Sequence, residues 1–532
     1  MTTGTEPRML AALLSTTVAV GIAWLLRKFL MARQTADVPY IEFYERNTMT
    51  RYLSDTRNLM RRGYKHYTRE GKPFAMLNQI DLARPLVNLS LKYLKEVRSA
   101  PYSQLSFPLS VAKSTVVNEI GGPIMTDEAI KVVRLAVNRS LTELIPHMQE
   151  QCLVAYKELM PDCQDWTPIV TFPLLLKIFI RITARLFIGS ELCNNHEWLD
   201  LVIDFTNAVF KASYSVRARY RPYTRWLANY FDPDVKQVYK LRYKAGELLC
   251  PVLEARKAGE GEYADGVQWL WDEYHGSGKE LTPDKLALDE FIIIIASIHS
   301  SAATALSILY DLINHPHSLA EIRTEVEQVK REHGAWTRHS LAALRVLDSF
   351  MKESQRVHTL QQLTLQRIAV KPFTFNDGLH LPAGTQISLP NELISKDPDF
   401  WGPNAAQFDP KRFLHKREGE DANNSHFASV SDDMLPFGSG THTCPGRFLA
   451  QDVTKLMFVH LLTNYDIEYS EGVVGRPADV VRHHNVMPDT SVVLLFWKRE
   501  GLDGAVSWSD QRRVHIAMEI MGSSHTLHLS DF

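Results

Sequence analysis

One cysteine of this chain stands in a glycine-rich loop that is followed at once by a helix-like run. This cysteine loop covers residues 435 to 448 and contains Cys444. Gly438, Gly440 and Gly446 have no Cβ, so they allow positive φ angles and let the backbone approach a flat partner. A thiol at the start of a helix meets backbone N–H donors and the positive end of the helix dipole, which favour its thiolate. A thiolate on such a loop is what a haem iron needs as an axial ligand, whereas most lone cysteines are buried free thiols.

The loop carries the pattern F-G-x-G-x-H-x-C-x-G, which resembles the haem-binding loop of the cytochrome P-450 family. The matching residues are Phe437, Gly438, Gly440, His442, Cys444 and Gly446. The resemblance implies that Cys444 is the iron ligand of haem b (iron protoporphyrin IX) and that the other five residues help to bind this cofactor. It also implies a mainly α fold with a minor β sheet, in which the haem lies between a long central helix and the cysteine loop. A dinucleotide fingerprint is excluded, because no strand, helix and distal acid surround the glycines.

A long central helix is predicted from the signals at its two ends. Thr282, Pro283 and Asp284 supply a hydroxyl cap, a proline at the first position and an acid, which together indicate a helix start. His315 and Pro316 indicate its end, since the residue before a proline avoids helical geometry. The segment between them is apolar apart from a polar middle, and polar groups inside a buried helix need partners.

This polar middle resembles the family's oxygen-activating pattern A-G-x-D/E-T, with departures at the proton-handling positions. Ala296 matches the pattern and Ser297 replaces its glycine. His299 replaces the acid and Ser300 replaces the threonine, a combination that resembles fungal secondary-metabolite members. The resemblance implies catalytic roles for Ser300, which keeps a hydroxyl, and for His299, which can relay a proton near neutral pH. An ordinary core histidine is the alternative for His299.

Charged residues on either side of the cysteine loop complete the resemblance. Glu353 and Arg356 are spaced i,i+3, so they share a helix face and can pair. With Arg412 they resemble the family's three-residue ion network, which ties a helix to the loop beneath the haem. Arg367 falls where the family has an arginine that binds a haem propionate, and His442 matches a second position of this kind.

Residues 40 to 280 are predicted to be mostly helical, with few strand signals. Many family members carry a W-x-x-x-R pair for a haem propionate, and its tryptophan is missing here. Arg134 or Arg139 could bind the propionate instead, or both could be surface residues. The aromatic-rich stretch from residue 197 to 231 lies, by resemblance, over the substrate pocket near the membrane, and ordinary helix packing is the alternative.

The N-terminus contains an apolar segment long enough for a membrane anchor. Residues 9 to 26 form 18 positions without a charge, and Arg27, Lys28 and Arg33 follow. This length crosses most of a ~30 Å hydrocarbon core, and the basic flank predicts a cytosolic catalytic domain. Microsomal family members have such an anchor, so we expect a single-pass protein of the endoplasmic reticulum membrane. A cleaved signal peptide and a buried core helix are the alternatives.

The bulk composition limits the number of domains and the classes of partner. The 532 residues carry Lys+Arg 59 against Asp+Glu 61, so the net charge of −2 favours no nucleic acid partner. The five cysteines are odd in number and their spacing suggests no disulfide framework, which fits a reducing compartment. In the absence of a linker or a repeat we expect an anchor over residues 1–35, one haem-thiolate catalytic domain over 36–500, and a C-terminal tail over 501–532 without assigned function.

Taken together, the resemblance implies a haem-thiolate monooxygenase of secondary-metabolite biosynthesis. Such an enzyme inserts one oxygen atom from O2 into a bulky lipophilic small molecule, here expected to be terpenoid or alkaloid-like. The chain has no flavin or nicotinamide fingerprint, so electrons are expected from a separate NADPH-cytochrome reductase on the same membrane. Two alternatives remain: a haem-thiolate isomerase or dehydratase, which needs no reductase, and a non-catalytic haem-binding protein.

Overall fold

The structure is a computed structural model that describes residues 21–22, 37–82, 84–259, 261–419 and 424–499. The predicted anchor over residues 9 to 26 lies outside these ranges except at Gly21 and Ile22. The predicted tail over residues 501–532 lies entirely outside them.

Helices form most of the described chain, and they place the core between them. The α-helices span Met49–His66, Leu94–Ser99, Phe107–Thr115, Val117–Ile120, Asp127–Lys131, Asn138–Leu159, Thr171–Leu192, His196–Arg219, Ala228–Phe231, Pro233–Ala258, Gly266–Gly276, Pro283–Asn314, Pro316–His333, Arg338–Ala343, Arg345–Val357, Asn391–Ile394, Pro398–Trp401, Arg412–Lys416 and Arg447–Asn464. A π-helical segment, Val132–Val137, connects two of them. The mainly α fold expected from the sequence is confirmed.

Short strands form a minor β component beside the helices. Numbered in chain order, β1 to β12 span Phe74–Met76, Leu86–Asn88, Leu105–Ser106, Thr167–Val170, Thr364–Ala369, Phe373–Thr374, His380–Leu381, Gln386–Leu389, Tyr465–Tyr469, Val480–Arg482, Asn485–Met487 and Val493–Lys498. The larger sheets have the orders β1-β2-β8-β5-β3 and β4-β12-β9. β6 pairs with β7, and β10 with β11, as antiparallel hairpins. A turn at Asp377-Gly378 connects β6 to β7, with Gly378 at φ 92°.

The central helix, Pro283–Asn314, organises this arrangement. Its 32 residues extend roughly 48 Å at ~1.5 Å per residue. The Thr282 hydroxyl accepts a hydrogen bond from the Lys285 N–H at 3.3 Å, as the predicted cap requires. The helix packs against Thr171–Leu192, Pro233–Ala258, Arg345–Val357 and Arg447–Asn464. It is also the one helix among the described residues with the length and hydropathy of a membrane span, and 56% of its most apolar window is buried inside the protein.

Candidate haem-thiolate site

The cysteine loop folds back on itself in a way that depends on two glycines. Gly438 and Gly440 have φ angles of 76° and 72°, in the left-handed region that glycine adopts without a Cβ clash. A Cβ on Gly440 would lie 2.7 Å from the Cβ of Arg98, so close packing also requires glycine there. The Cys444 N–H donates to the Phe437 carbonyl at 2.8 Å, which closes the loop immediately before the helix Arg447–Asn464.

Gly446 is different, because neither its backbone nor its protein neighbours demand a glycine. Its φ is −87°, and the nearest atom to a hypothetical Cβ is a methyl group of Val133 at 3.8 Å. A cofactor bound close to the backbone here would account for a residue without a side chain. The cradle therefore fits a porphyrin close to the backbone.

The thiol of Cys444 is under opposing influences. Burial raises its pKa, whereas the N–H groups of Gly446 and Arg447 and the Arg447 charge lower it. The sequence predicted only the lowering contribution from the helix start, and in the protein alone burial outweighs it. A bound metal cation reverses the balance, since a coordinating thiol is deprotonated. As a whole residue Cys444 is half-buried, whereas Cys152, Cys163 and Cys193 are fully buried.

Arg367 is a buried cation without an anionic partner. It is 2% exposed, and burial lowers the pKa of its guanidinium to about 10. One Nη donates to the Gln366 carbonyl at 2.9 Å, while the buried Nε has no acceptor. Burying an arginine without a counter-charge costs free energy, and pairing with an anion would offset that cost. A haem propionate is such an anion.

His442 and Arg134 belong to the same neighbourhood. The His442 ring stacks on Tyr102 at 3.9 Å and meets the Ala100 carbonyl through Nε2 at 3.2 Å, while its buried Nδ1 has no partner. Burial lowers the pKa of His442, and the charges of Arg367 and Arg134 lower it further, so the two guanidinium groups act on one imidazole. Among the described residues, no carboxylate pairs with either arginine. The donors fit the anionic edge of a haem.

Arg134 reaches this position from the π-helical segment Val132–Val137, which the sequence did not indicate. Sequence periodicity predicted an ordinary α-helix here. The wider π turn is rare and occurs often at functional sites. Both arginines are exposed, but Arg134 Nη2 lies 3.4 Å from the Thr441 carbonyl of the cysteine loop, whereas Arg139 lies on the following helix. Of the two arginines considered for a propionate, Arg134 is therefore the one beside the loop.

The central helix has an opening on one side of its polar middle. From Leu286 to Asn314, a stretch described without gaps, every residue is buried or half-buried except Ala296 and Ser300. These two residues are spaced i,i+4 and so lie on one face. The Ser300 hydroxyl donates to the Ala296 carbonyl at 3.0 Å, which holds it on that face. The central helix is therefore accessible on one face of its middle and covered elsewhere along this stretch.

His299 is adjacent to the opening but turned toward another helix. Its ring meets Phe210 edge-to-face, with centroids 5.5 Å apart. Burial lowers the pKa of His299 below its usual value of 6.5, so the imidazole is neutral at pH 7. A neutral imidazole can still accept one proton and donate another.

The structure brings Glu353, Arg356 and Arg412 into one buried network. Arg356 donates to both carboxylate oxygens of Glu353, at 2.8 and 2.7 Å, in a bidentate pair without solvent exposure. Arg412 Nε donates to the same carboxylate at 3.1 Å. The remaining Arg356 donors reach the carbonyls of Ser395, Ala405 and Gln407 at 2.7, 2.6 and 3.1 Å. The network thus fastens helix Arg345–Val357 to the segment that leads toward the cysteine loop.

Lys352, which no sequence pattern indicates, binds the next part of that segment. It is 1% exposed, and its ammonium donates to the carbonyls of Asn424, His426 and Ser429 at 3.0, 2.6 and 2.9 Å. Three acceptors match the three donors of a protonated lysine. Phe427, inside this segment, packs edge-to-face on Phe437 of the cysteine loop at 5.7 Å. Lys352 therefore holds in place the segment that packs against the cysteine loop.

Replacing Lys352 with methionine is expected to destabilise the protein by about 2 kcal/mol, because buried carbonyls lose their donor while side-chain length is kept. The free energy of unfolding, measured by denaturant titration, tests this. Lys177→Met, on an exposed helix position, is the matched control and should change it by less than about 0.5 kcal/mol. Equal effects of the two substitutions would contradict the role given to Lys352.

Comparisons with known proteins agree with this geometry. The Cytochrome P450 family model matches residues 80–493. The cytochrome P450 monooxygenase ccsG of Aspergillus clavatus is 38% identical over 487 residues, which cover 90% of this chain and 96% of the relative. The monooxygenase cheE of Chaetomium globosum is 36% identical over 468 residues, 86% of this chain and 91% of the relative. The pyrichalasin C-7 hydroxylase of Pyricularia grisea is 35% identical over 475 residues, 87% of this chain and 93% of the relative.

The fold and the cysteine loop are those expected of a haem-binding protein, and the matched length makes the family plain. The chain belongs to the cytochrome P450 family and is a monooxygenase similar to fungal secondary-metabolite members. The family implies a haem-iron cofactor, O2, a redox partner and a small-molecule substrate. A solved structure, the retinoic acid bound cyanobacterial CYP120A1, matches with a TM-score of 0.64 and 18% identity over 87% of this chain and 100% of its own, and supports the fold.

Proposed function

We propose that this protein hydroxylates a bulky lipophilic metabolite with O2 and electrons from a separate NADPH-cytochrome reductase. The observation that carries the proposal is the opening at Ala296 and Ser300 in a helix that is otherwise buried. This helix packs against Arg447–Asn464, the helix that follows Cys444. A cavity between the two elements would expose a substrate carbon to the cofactor held by the cysteine loop.

The chain's own residues have distinct tasks in this proposal. Cys444 would ligate the iron of haem b, and Arg367, His442 and Arg134 would hold its propionates. When bound, a thiolate-ligated haem supplies the oxygen-activating chemistry, because the thiolate donates electron density that favours O–O cleavage. Ser300 would hold a water and pass on its proton, and the neutral His299 would exchange protons from the adjacent position.

The name of one relative supports hydroxylation in particular. The pyrichalasin C-7 hydroxylase acts, by its name, on one carbon of a fungal metabolite. We infer the same reaction type for this chain, on a bulky lipophilic molecule. The terpenoid or alkaloid-like class expected from the sequence stays a prediction.

The test is a reconstituted assay of the purified protein with an NADPH-cytochrome reductase and a lipid extract of the producing organism. Product formation should require both O2 and NADPH. Turnover without either would favour the isomerase or dehydratase alternative, to which the altered His299-Ser300 pair lends some support. Absence of any substrate-induced absorption change across the extract would favour a non-catalytic haem-binding protein.

Replacing Ser300 with alanine is expected to lower kcat by at least about 10-fold, because the hydroxyl at the opening is lost while the helix is retained. The fraction of NADPH consumed that yields product should fall as well. Ser297→Ala is the matched control: its hydroxyl bonds the Ile294 carbonyl at 3.0 Å on the same helix, and its loss should leave kcat within about 2-fold. An unchanged product yield in Ser300→Ala would exclude the proton role.

We also propose that residues 1–35 anchor the protein in the endoplasmic reticulum membrane, with residues 36–500 as the cytosolic catalytic domain. The uncharged run of 18 residues before Arg27 and Lys28 supports this topology. Protease treatment of intact microsomes should digest the catalytic domain if it is cytosolic. Protection of that domain would contradict the topology.

A further inference from the structure

One face of the helix His196–Arg219 connects the opening on the central helix to a group of uncompensated cations. Phe210, Tyr214 and Arg217 are spaced i, i+4 and i+7, so they share that face. Phe210 contacts the His299 ring, and yet it is 49% exposed, so it borders open space beside the central helix. Arg217 follows on the same face about two turns, or roughly 10 Å, away.

Arg217 is held by main-chain groups and lacks a carboxylate partner. Its Nη2 donates to the carbonyls of Lys113, at 3.0 Å, and Ser114, while its buried Nε has no acceptor. Burial lowers the pKa of Arg217 to about 10, and the Arg225 charge lowers it further. The charge of Glu119 raises the pKa of Arg217, but the two side chains are too far apart to form an ion pair.

Two further buried nitrogens near this helix end and the β10–β11 hairpin lack a hydrogen-bond partner. They are the Nε of Arg225, whose charge acts on Arg217, and the Nδ1 of His484, whose imidazole is neutral because burial lowers its pKa to about 4. His483, at the tip of the β10–β11 hairpin, lies close enough that the Arg217 charge adds to burial in lowering the pKa of its imidazole. His483 has a φ of 58°, a strained conformation for a residue other than glycine.

The hairpin tip is also connected to the cysteine loop, through hydrogen bonds made by an intervening segment. The His484 carbonyl accepts from the Gln362 N–H at 2.8 Å. Two residues further, the Thr364 hydroxyl donates to the Leu435 carbonyl at the start of the cysteine loop, at 3.1 Å. The hairpin that bears His484 is thus linked, through residues 362 to 364, to the start of the cysteine loop.

We propose that Arg217, together with Arg225 and His484, binds an oxygen acceptor of the substrate, a carboxylate or a carbonyl, at the end opposite the oxidised carbon. This rests on the proposed function, because the ligand is the molecule to be oxidised. The buried Nε atoms of Arg217 and Arg225 are charged donors without an acceptor, and such an oxygen would supply one. A site that presents these donors discriminates strongly against an analogue lacking the acceptor.

A lipid phosphate is the competing occupant, because exposed aromatic residues lie on the neighbouring segment. Tyr223, Trp226, Tyr230 and Phe231 have exposed rings. The substrate is favoured, since the face that bears Arg217 is the one that contacts His299. The unsatisfied Nε atoms are also buried, which places them away from a bilayer surface.

The experiment measures binding to the oxidised, haem-loaded protein, without reductase, by the haem absorption change and by equilibrium dialysis. Three skeletons, linear, steroid and diterpene, are each presented as carboxylic acid, methyl ester and hydrocarbon: dodecanoic acid, cholanic acid and dehydroabietic acid with their derivatives. In at least one skeleton the acid or the ester should bind at least about 10-fold more tightly than the hydrocarbon. In Arg217→Leu this preference should fall below about 2-fold. A preference for acid over ester identifies a carboxylate, and equal binding identifies a carbonyl.

Arg221→Leu, at an exposed position near Arg217, is the matched control and should keep the preference. An unchanged reduced carbon-monoxide spectrum in both variants shows that the haem site is intact. Hydrocarbons that bind as tightly as acids, a preference that survives Arg217→Leu, or no binding of any acid or ester would each overturn the proposal. So would a loss in Arg217→Leu confined to binding of phosphatidylserine vesicles. Because binding needs neither O2 nor NADPH, failure of turnover alone would count against the proposed function only.

Discussion

Replacing Cys444 with alanine is expected to abolish the reduced carbon-monoxide band of a thiolate-ligated haem, together with all product formation. Alanine has no atom that can ligate iron, and no other cysteine belongs to the loop. The Cys444 N–H still closes the loop onto Phe437, so the fold is expected to persist. The absorption spectrum of the reduced, carbon-monoxide-treated protein measures the band, and circular dichroism reports the helix content.

Cys250→Ala provides the matched control for this loss. Cys250 is likewise a half-buried free cysteine, but it lies in helix Pro233–Ala258, away from the cysteine loop. Its replacement should leave both the band and the turnover unchanged. A thiolate band that survives in Cys444→Ala, or one that disappears in Cys250→Ala, would show that the ligand is assigned to the wrong residue.

Local signals in the sequence were enough to predict several elements of this site. The central helix begins and ends where its threonine cap and its His-Pro stop indicate, since both signals act through neighbouring backbone atoms. The i,i+3 spacing of Glu353 and Arg356 allows pairing whatever surrounds the helix. For the cysteine loop, the glycine spacing reflects φ angles that only a few residue types adopt.

Features that depend on tertiary contacts were not predicted. Helix Arg345–Val357 is buried from Leu347 to Val357 although most of its residues are polar. Its sequence is typical of a surface helix, because charged residues are rarely buried unless they are paired. The partners of Lys352 are carbonyls more than 70 positions away, so no local pattern indicates them. The π turn at Arg134 is equally invisible to hydrophobic periodicity.

The pKa of Cys444 shows the same limit for electrostatics. Position at a helix start indicates a lowered pKa, and the N–H contributions from Gly446 and Arg447 do act in that direction. Burial of the sulfur depends on the surrounding fold, and it raises the pKa by more than the N–H groups lower it. The sequence could therefore predict the donors around the thiol, but the ionisation of the thiol depends on what binds there.

The buried ion network should be the most sensitive structural element outside the cysteine itself. Replacing Glu353 with glutamine keeps the side-chain shape but leaves Arg356 and Arg412 without their counter-charge. Removing one partner of a buried pair costs about 3–5 kcal/mol, because the remaining charge stays desolvated. We expect the free energy of unfolding to fall by about that amount and the haem content of the purified protein to fall with it.

Glu254→Gln gives a control with the same spacing in a different environment. Glu254 and Lys257 are also paired at i,i+3, at 2.9 Å, but their side chains are 60% and 31% exposed. An exposed pair contributes about 0–1 kcal/mol, so this substitution should barely change the unfolding transition or the haem content. The two variants remove the same charge from the same type of pair, and their difference therefore measures what burial adds. Similar losses in both would mean that Glu353 contributes no more than a surface carboxylate, and that other contacts hold the cysteine loop against its supporting helix.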